Sequence, residues 1–314
     1  MPSNPRARRA RAIALVAALA ASSPAAVPAR VAAQTPAPLP LHEPQASVSD
    51  HAAVLAVNVA LAGLTAGVRQ WRSGGSFLDG LWRGGLGGAG TYAGKLIVTA
   101  DAPGAGFAGR AVAAAGASVS RNASDGLPSF HRLVIPAGFV RMHWEPAAGN
   151  FHTSIDVTGA GAVVGSYLAG MGASLDMRRT LSSGAPVFMA REWESNWGWH
   201  ARHVAGTIVL RGDSPDDIRH DRFIARALAH EQVHVIQYDQ AWILWSEPVE
   251  RRALKALGAS PLLVRSVDLS LHAGVLLGLN ALIPYAARPW EREADILSGT
   301  DRHTYPTGGR RNDL

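Results

Sequence analysis

Apolar and polar positions divide the chain into three patterns. From Ala52 to Val68, "AAVLAVNVALAGLTAGV" carries no charge. "GLWRGGLGGAGTYAGKLIV" (80–98) follows, with Gly84, Gly88 and Gly94 at near-helical spacing, and "GRAVAAAGASVSRNA" (109–123) reads as a third helix. Small residues on one helix face let backbones approach closely. Residues 50–125 are therefore expected to be a Gly/Ala-rich helical region packed through glycine. Contact with a membrane through residues 52–98 and the apolar stretch 271–287 is the alternative, since 17 uncharged residues are the low end of a spanning length.

A strand-like pattern comes next. "HRLVIPAGFVRMHWE" (131–145) has two runs broken at Pro136–Gly138. "FHTSIDVTGAG" (151–161), "GASLDMRRT" (172–180), "PVFMAREWE" (186–194) and "HVAGTIVLRG" (203–212) continue it, separated by turn residues. An antiparallel, meandering sheet is expected. The Trp-rich "EWESNWGWH" (192–200) is read as packing rather than as a sugar platform.

The third pattern is helical. Over 214–240, Ser214 caps, Pro215 sits at the first helical position, and Asp216 and Asp217 fill the first turn. Phe223, Ile224, Leu228, Val233, Val235 and Ile236 cover the whole wheel, the mark of a buried helix. A second short helix, "RPWEREADILSG" (288–299), runs from Pro289 to Gly299. The fold class expected is α+β, with N-terminal helices first, an antiparallel β region next and a helical C-terminal part last. Residues 126–314 are expected to form one unit, the β region plus the helical C-terminal part.

The N-terminus changes the picture of charge. "PRARRAR" (5–11) is a basic segment, "AIALVAALAA" (12–21) an apolar one, and "VPA" (27–29) and "VAA" (31–33) offer small-residue cleavage sites. Residues 1–33 are expected to be a secretory signal peptide, with an uncleaved anchor as the alternative, and 34–49 a Pro-rich disordered linker. The destination expected is the periplasm, the cell envelope or the medium. Five Arg precede Gln34 with no acidic residue, so the formal +6 falls to +1 without them. That removes the electrostatic case for a nucleic-acid partner. Lack of Cys excludes disulfides and thiolate ligands.

The buried helix contains "HEQVH". Leaving His230, Glu231 and His234 unpaired there costs roughly 1–3 kcal/mol each. His230 and His234, at i and i+4, share a face and can grip one ion. Glu231, turned by about 100°, can reach water beside that ion without being a ligand. A site of this kind needs a third protein ligand. Glu291 and Asp295 share one face of the second helix. Glu291 could coordinate, and Asp295 could accept the second ring N–H of a ligating His. Glu293 is turned by about 200° from Glu291 and is the weaker ligand.

"HEQVH" followed by "EREAD" resembles the gluzincin zinc metallopeptidases, most of all small bacterial domains with an HExxH helix and an E-x-E-A-D helix. The likeness spans about residues 206–298. It implies a zincin-like fold for this part, Zn²⁺ on His230, His234 and Glu291, Glu231 as catalytic base, Asp295 behind a ligand, and a peptide or protein substrate. It also implies an edge strand upstream of the zinc helix, which "GTIVL" (206–210) fits and which could pair with a peptide backbone. Candidates for a transition-state stabiliser are Tyr238 first, then His272, Tyr285 and His303. His200 and His203, the "RGD" at 211–213 and the "NAS" at 122–124 are weaker signals, read as strand positions, turn chemistry and a formal sequon. The function expected is an exported zinc-dependent metallopeptidase. The alternative is a non-catalytic structural or membrane-associated protein whose ion is a staple or a vestige.

Overall fold

A computed structural model of the chain describes residues 46–100, 102–168, 173–190, 201–211 and 218–300. The signal-peptide segment, most of the linker, the Trp-rich stretch with His200, the Ser214 cap, Gly212 and Asp213 of the "RGD", and His303 lie outside the described residues.

Three antiparallel-running helices come first: α1 (Val48–Arg72), α2 (Phe77–Val98) and α3 (Ala105–Ser124). α1 starts two residues earlier than expected, inside the stretch assigned to the linker. Ser47 accepts from the backbone N–H of Asp50, and Asp50 bonds back to the backbone of Ser47. This capping box satisfies two orphan donors at once. Glycine sets how closely the helices pack. A Cβ on Gly84 would lie 2.5 Å from Cβ of Ala66, one on Gly88 2.4 Å from the carbonyl oxygen of Asn58, and one on Gly94 2.4 Å from backbone atoms of Gly109 and Ala113.

Among the described residues α1 is the one helix long and apolar enough to cross a membrane, and 33% of its most apolar window is buried. Ala62, Gly63, Ala66 and Gly67 face inward, while Val57, Leu61, Leu64, Val68 and Trp71 form an outward row.

Two small mixed sheets follow. The first has the order β1 (Leu133–Ala137), β2 (Val140–Glu145), β3 (Asn150–Asp156), β8 (Val267–Asp268). The second has the order β4 (Ser174–Leu175), β5 (Val187–Ala190), β7 (Thr207–Arg211), β6 (Ala201–Val204). The expected single antiparallel meander is corrected in two ways. β3 pairs with β8, and β5 with β7, in parallel. In addition, much of 157–183 is helical, as α4 (Val157–Leu168) and α5 (Met177–Ser183). Asp176 caps α5 by accepting from the backbone N–H of Arg179, so "LDMRR" is a helix start rather than a strand. β6 and β7 join through a tight turn at Ala205 (φ +45°) and Gly206 (φ +82°). Positive φ at both positions matches the right-handed twist of a hairpin. "GTIVL" is consequently an inner strand, and β6 is the outer one among the described residues.

α6 (Ile218–Ala241) is the central helix. Val233 and Ile236 pack with Val54, Tyr92, Val98 and Ala113 of the N-terminal helices. Ile224, Ala227 and Val235 pack with Val187, Ile208 and Leu210 of the second sheet. A helix enclosed on both sides turns apolar residues to each, and its buried polar groups, His230, Glu231 and Asp239 among them, need partners. Buried Arg110 of α3 grips both oxygens of Asp239, at 2.7 and 3.2 Å. The helix continues through a π turn, Trp242–Ser246, into α7 (Glu247–Ala256). Pro248 cannot donate to the carbonyl of Leu244 four residues back, and Arg69 of α1 donates to that oxygen instead. After α8 (Pro261–Ser266), β8 and α9 (His272–Leu282), α10 (Pro289–Ser298) brings Ala294 and Leu297 onto the same core as Val233. Gly299, at φ +65°, ends it.

Candidate metal centre

α6 and α10 meet at three side chains. Nε2 of His230 lies 3.0 Å from Nε2 of His234. Oε2 of Glu291 lies 3.3 Å from the first and 3.1 Å from the second. The side chains of His230, His234 and Glu291 are 3%, 11% and 12% exposed. A tetrahedral zinc ion with bonds of about 2.0 Å holds its ligands about 3.3 Å apart. The three atoms therefore occupy three corners of such a tetrahedron, and the residues fit a divalent ion. They make up the one group of this type among the described residues.

The imidazoles are turned to present lone pairs. Nδ1 of His230 faces Oδ1 of Asp295 at 3.3 Å and the hydroxyl of Thr300 at 3.2 Å. Thr300 in turn donates to Oδ1 of Asp295 at 3.1 Å. Asp295 thus lies behind the ring of His230, on the side away from the other two ligand candidates. Nδ1 of His234 lies 2.7 Å from Oε1 of Gln237. An amide oxygen only accepts, so this nitrogen carries a proton, and in the neutral ring Nε2 then holds the lone pair. In the sequence Gln237 stands out only as the last residue of "HVIQ", a stretch that adds to the gluzincin-like resemblance, with no role assigned to it. Its place three residues after His234, on the same helix face, is the signal that could have found it.

With no ion between them, the carboxylates favour protons on the two rings, in the place a bound cation would take. Burial disfavours charge on His230, but hydrogen bonds to Asp295 and Glu291 outweigh it and raise its pKa to about 10. His234 is raised in the same way, burial being offset by its bond to Glu291. Glu291 is held well below the usual carboxylate range: the two His hydrogen bonds overcome its burial. Its other oxygen, Oε1, faces Arg288 at 3.9 Å.

Glu231 is buried at 6% exposure. Burial pushes its carboxyl up, against the two imidazoles and a hydrogen bond from the backbone N–H of His203. That residue belongs to β6, so the outer strand runs beside the carboxylate. The His203 ring itself accepts from the N–H of Gly206 at 2.8 Å and stabilises the turn.

The other candidates lie elsewhere. Tyr238 donates its hydroxyl to Oδ2 of Asp156 at 3.0 Å. Asp156 also pairs with Arg141 at 2.7 Å. The ring of His272 packs on Tyr238 with centroids 4.4 Å apart. Tyr285 lies under the guanidinium of Arg288. None of the three is among the groups that meet at the ligand triangle. Glu293 points away from it, to Lys95 at 2.8 Å.

Comparisons with protein-family models, with curated proteins and with solved structures return no match.

Proposed function

We propose that the chain is an exported zinc-dependent metallopeptidase, with His230, His234 and Glu291 holding the ion and Glu231 acting as general base. The observation that carries this reading is the triangle of ligand atoms with edges of 3.0, 3.1 and 3.3 Å. The gluzincin-like order HExxH…ExxxD and the apolar segment after "PRARRAR" support the chemistry and the export respectively.

A zinc ion held here would supply a Lewis acid for a peptide carbonyl and bring the pKa of water toward about 7. The remaining work falls to the chain. Glu231, its pKa raised by burial, takes a proton from the attacking water on its carboxylate and returns it to the leaving amine. An extended peptide added along β6 would run beside Glu231, on the strand edge that has no partner among the described residues.

One observation favours the second reading, a structural ion. The Tyr238 hydroxyl, the first candidate for stabilising a tetrahedral intermediate, is bonded to Asp156. A single experiment separates the two. Wild type and Glu231→Gln are loaded with zinc and offered a broad peptide library. The peptidase reading expects both to hold the metal and only wild type to cleave, because an amide cannot accept the proton. Wild type that holds zinc and cleaves nothing would support the structural ion.

A further inference from the structure

A row of hydrogen bonds leads from the ligand triangle into the glycine-packed helices. Oε1 of Gln237 takes the Nδ1 proton of His234 at 2.7 Å. Nε2 of Gln237 donates to Oε2 of Glu293 at 2.8 Å and to the carbonyl of Trp290 at 3.1 Å. Oε1 of Glu293 accepts from Lys95 at 2.8 Å and from Asn58 at 2.7 Å. Lys95 also donates to Oδ1 of Asn58 at 2.9 Å. Lys95 is only 1% exposed, one of two lysines in the chain.

We propose that Gln237 and Glu293 are positioning residues that hold His234 in the tautomer with Nε2 free, anchored by Lys95 of α2 and Asn58 of α1. The inference rests on the metal-site reading above. Its logic is donor and acceptor matching. Glu293 and the Trp290 carbonyl offer only acceptors, so the amide nitrogen of Gln237 must turn toward them. The amide oxygen then has to face His234, and only a protonated Nδ1 suits it. Were the amide reversed, Nδ1 would become the acceptor and the proton would sit on Nε2, inside the triangle. Asn58 and Lys95 reach Glu293 because α1 and α2 touch at Gly88, where the carbonyl of Asn58 leaves no room for a Cβ. The N-terminal helices thus take part in setting the metal site, more than a hundred residues away in sequence from any ligand.

The full chain is tested with zinc alone, by competition against a chromophoric chelator, and by the nitrogen NMR shifts of His234 in the metal-free protein. Gln237→Met removes the amide at similar volume. Glu293→Gln leaves the amide of Gln237 facing a second amide. Both should lose zinc affinity about 10–100-fold, as losses behind a ligand do. Glu293→Gln should also move the His234 proton from Nδ1 to Nε2. The exchange Gln237→Glu with Glu293→Gln restores acceptor to donor along the row and should recover most of the affinity.

Should Glu293→Gln, and with it the exchange, fail to fold because Lys95 loses its charge partner, the zinc affinity and the His234 shifts of Gln237→Met decide the matter. Unchanged zinc affinity in Gln237→Met, or a folded exchange that recovers nothing, would overturn the inference. So would identical His234 nitrogen shifts in wild type and variants. Wild type that binds no zinc defeats the metal reading instead, and the His234 shifts still decide this one.

Discussion

The Nε2 atoms of His230 and His234 face each other at 3.0 Å across one turn of α6. Their Nδ1 atoms are committed to Asp295 and Gln237. Two neutral rings in this arrangement would oppose lone pair to lone pair, with a carboxylate as third neighbour. A shared cation relieves all three contacts.

That relationship sets the first expectation. Purified residues 35–314 should carry about one zinc per chain by elemental analysis, as one tetrahedral site requires. His230→Ala and His234→Ala should each lose it. Since an ion that binds only the folded state stabilises it, chelator should lower the melting temperature of wild type but not of the variants. A chain that folds without metal and melts identically in chelator would remove the site.

The third ligand and the group behind His230 should differ in size of effect. Glu291→Ala takes away one of three protein ligands and should abolish stoichiometric zinc binding. Asp295→Asn keeps the shape but weakens the acceptor for Nδ1 of His230. It should lower affinity about 10–100-fold. Equal effects of the two substitutions in a zinc titration would mean that the roles are wrongly divided.

Glycine packing makes a prediction of opposite signs. Gly94→Ala would press a methyl against the backbone of α3, 2.4 Å away. It should destabilise by about 1–3 kcal/mol or more, as overpacking does. Gly278, inside α9, has nothing within 4 Å of a Cβ. Gly278→Ala should therefore stabilise by up to about 1 kcal/mol through helix propensity. Chemical denaturation of both variants checks the contrast. A neutral Gly94→Ala would show that α2 and α3 can separate.

Stability should fall in mild acid. Burial lowers the pKa of His143 and of His272 to about 3 in each case, against about 6.5 in an unfolded chain. Below 6.5 the unfolded state takes up protons that the folded state refuses. Stability from these groups is therefore complete above about pH 6.5 and declines as pH falls toward 3. Each contributes a slope of up to about 1.4 kcal/mol per pH unit. Melting temperatures of zinc-loaded protein between pH 7 and 5 measure it. His272→Phe keeps the ring against Tyr238 and should flatten the curve by about one proton. An unchanged slope would mean that His272 does not titrate on unfolding.

Much of the candidate site was legible because it is local. The i,i+4 spacing of His230 and His234, and of Glu291 and Asp295, needs only helical periodicity to put each pair on one face. The all-round apolar wheel of α6 announced a helix enclosed on two sides. Gly84, Gly88 and Gly94 announced close approach. Chain pattern alone said less about the β region. "LDMRR" carried a helix cap at Asp176 inside a run that alternates like a strand, and parallel pairing of β5 with β7 joins segments whose local patterns look alike in either direction. Tertiary structure alone decided which groups the side chains meet. Tyr238 shares a helix face with His234, yet its hydroxyl found Asp156 on β3. Glu293, turned off the ligand face, found Lys95 and Asn58 more than a hundred residues earlier. Helical phase fixes which way a side chain leaves its helix, whereas the partner it meets depends on how separate elements pack, and hydrogen-bond matching between distant segments leaves no periodic trace in a chain.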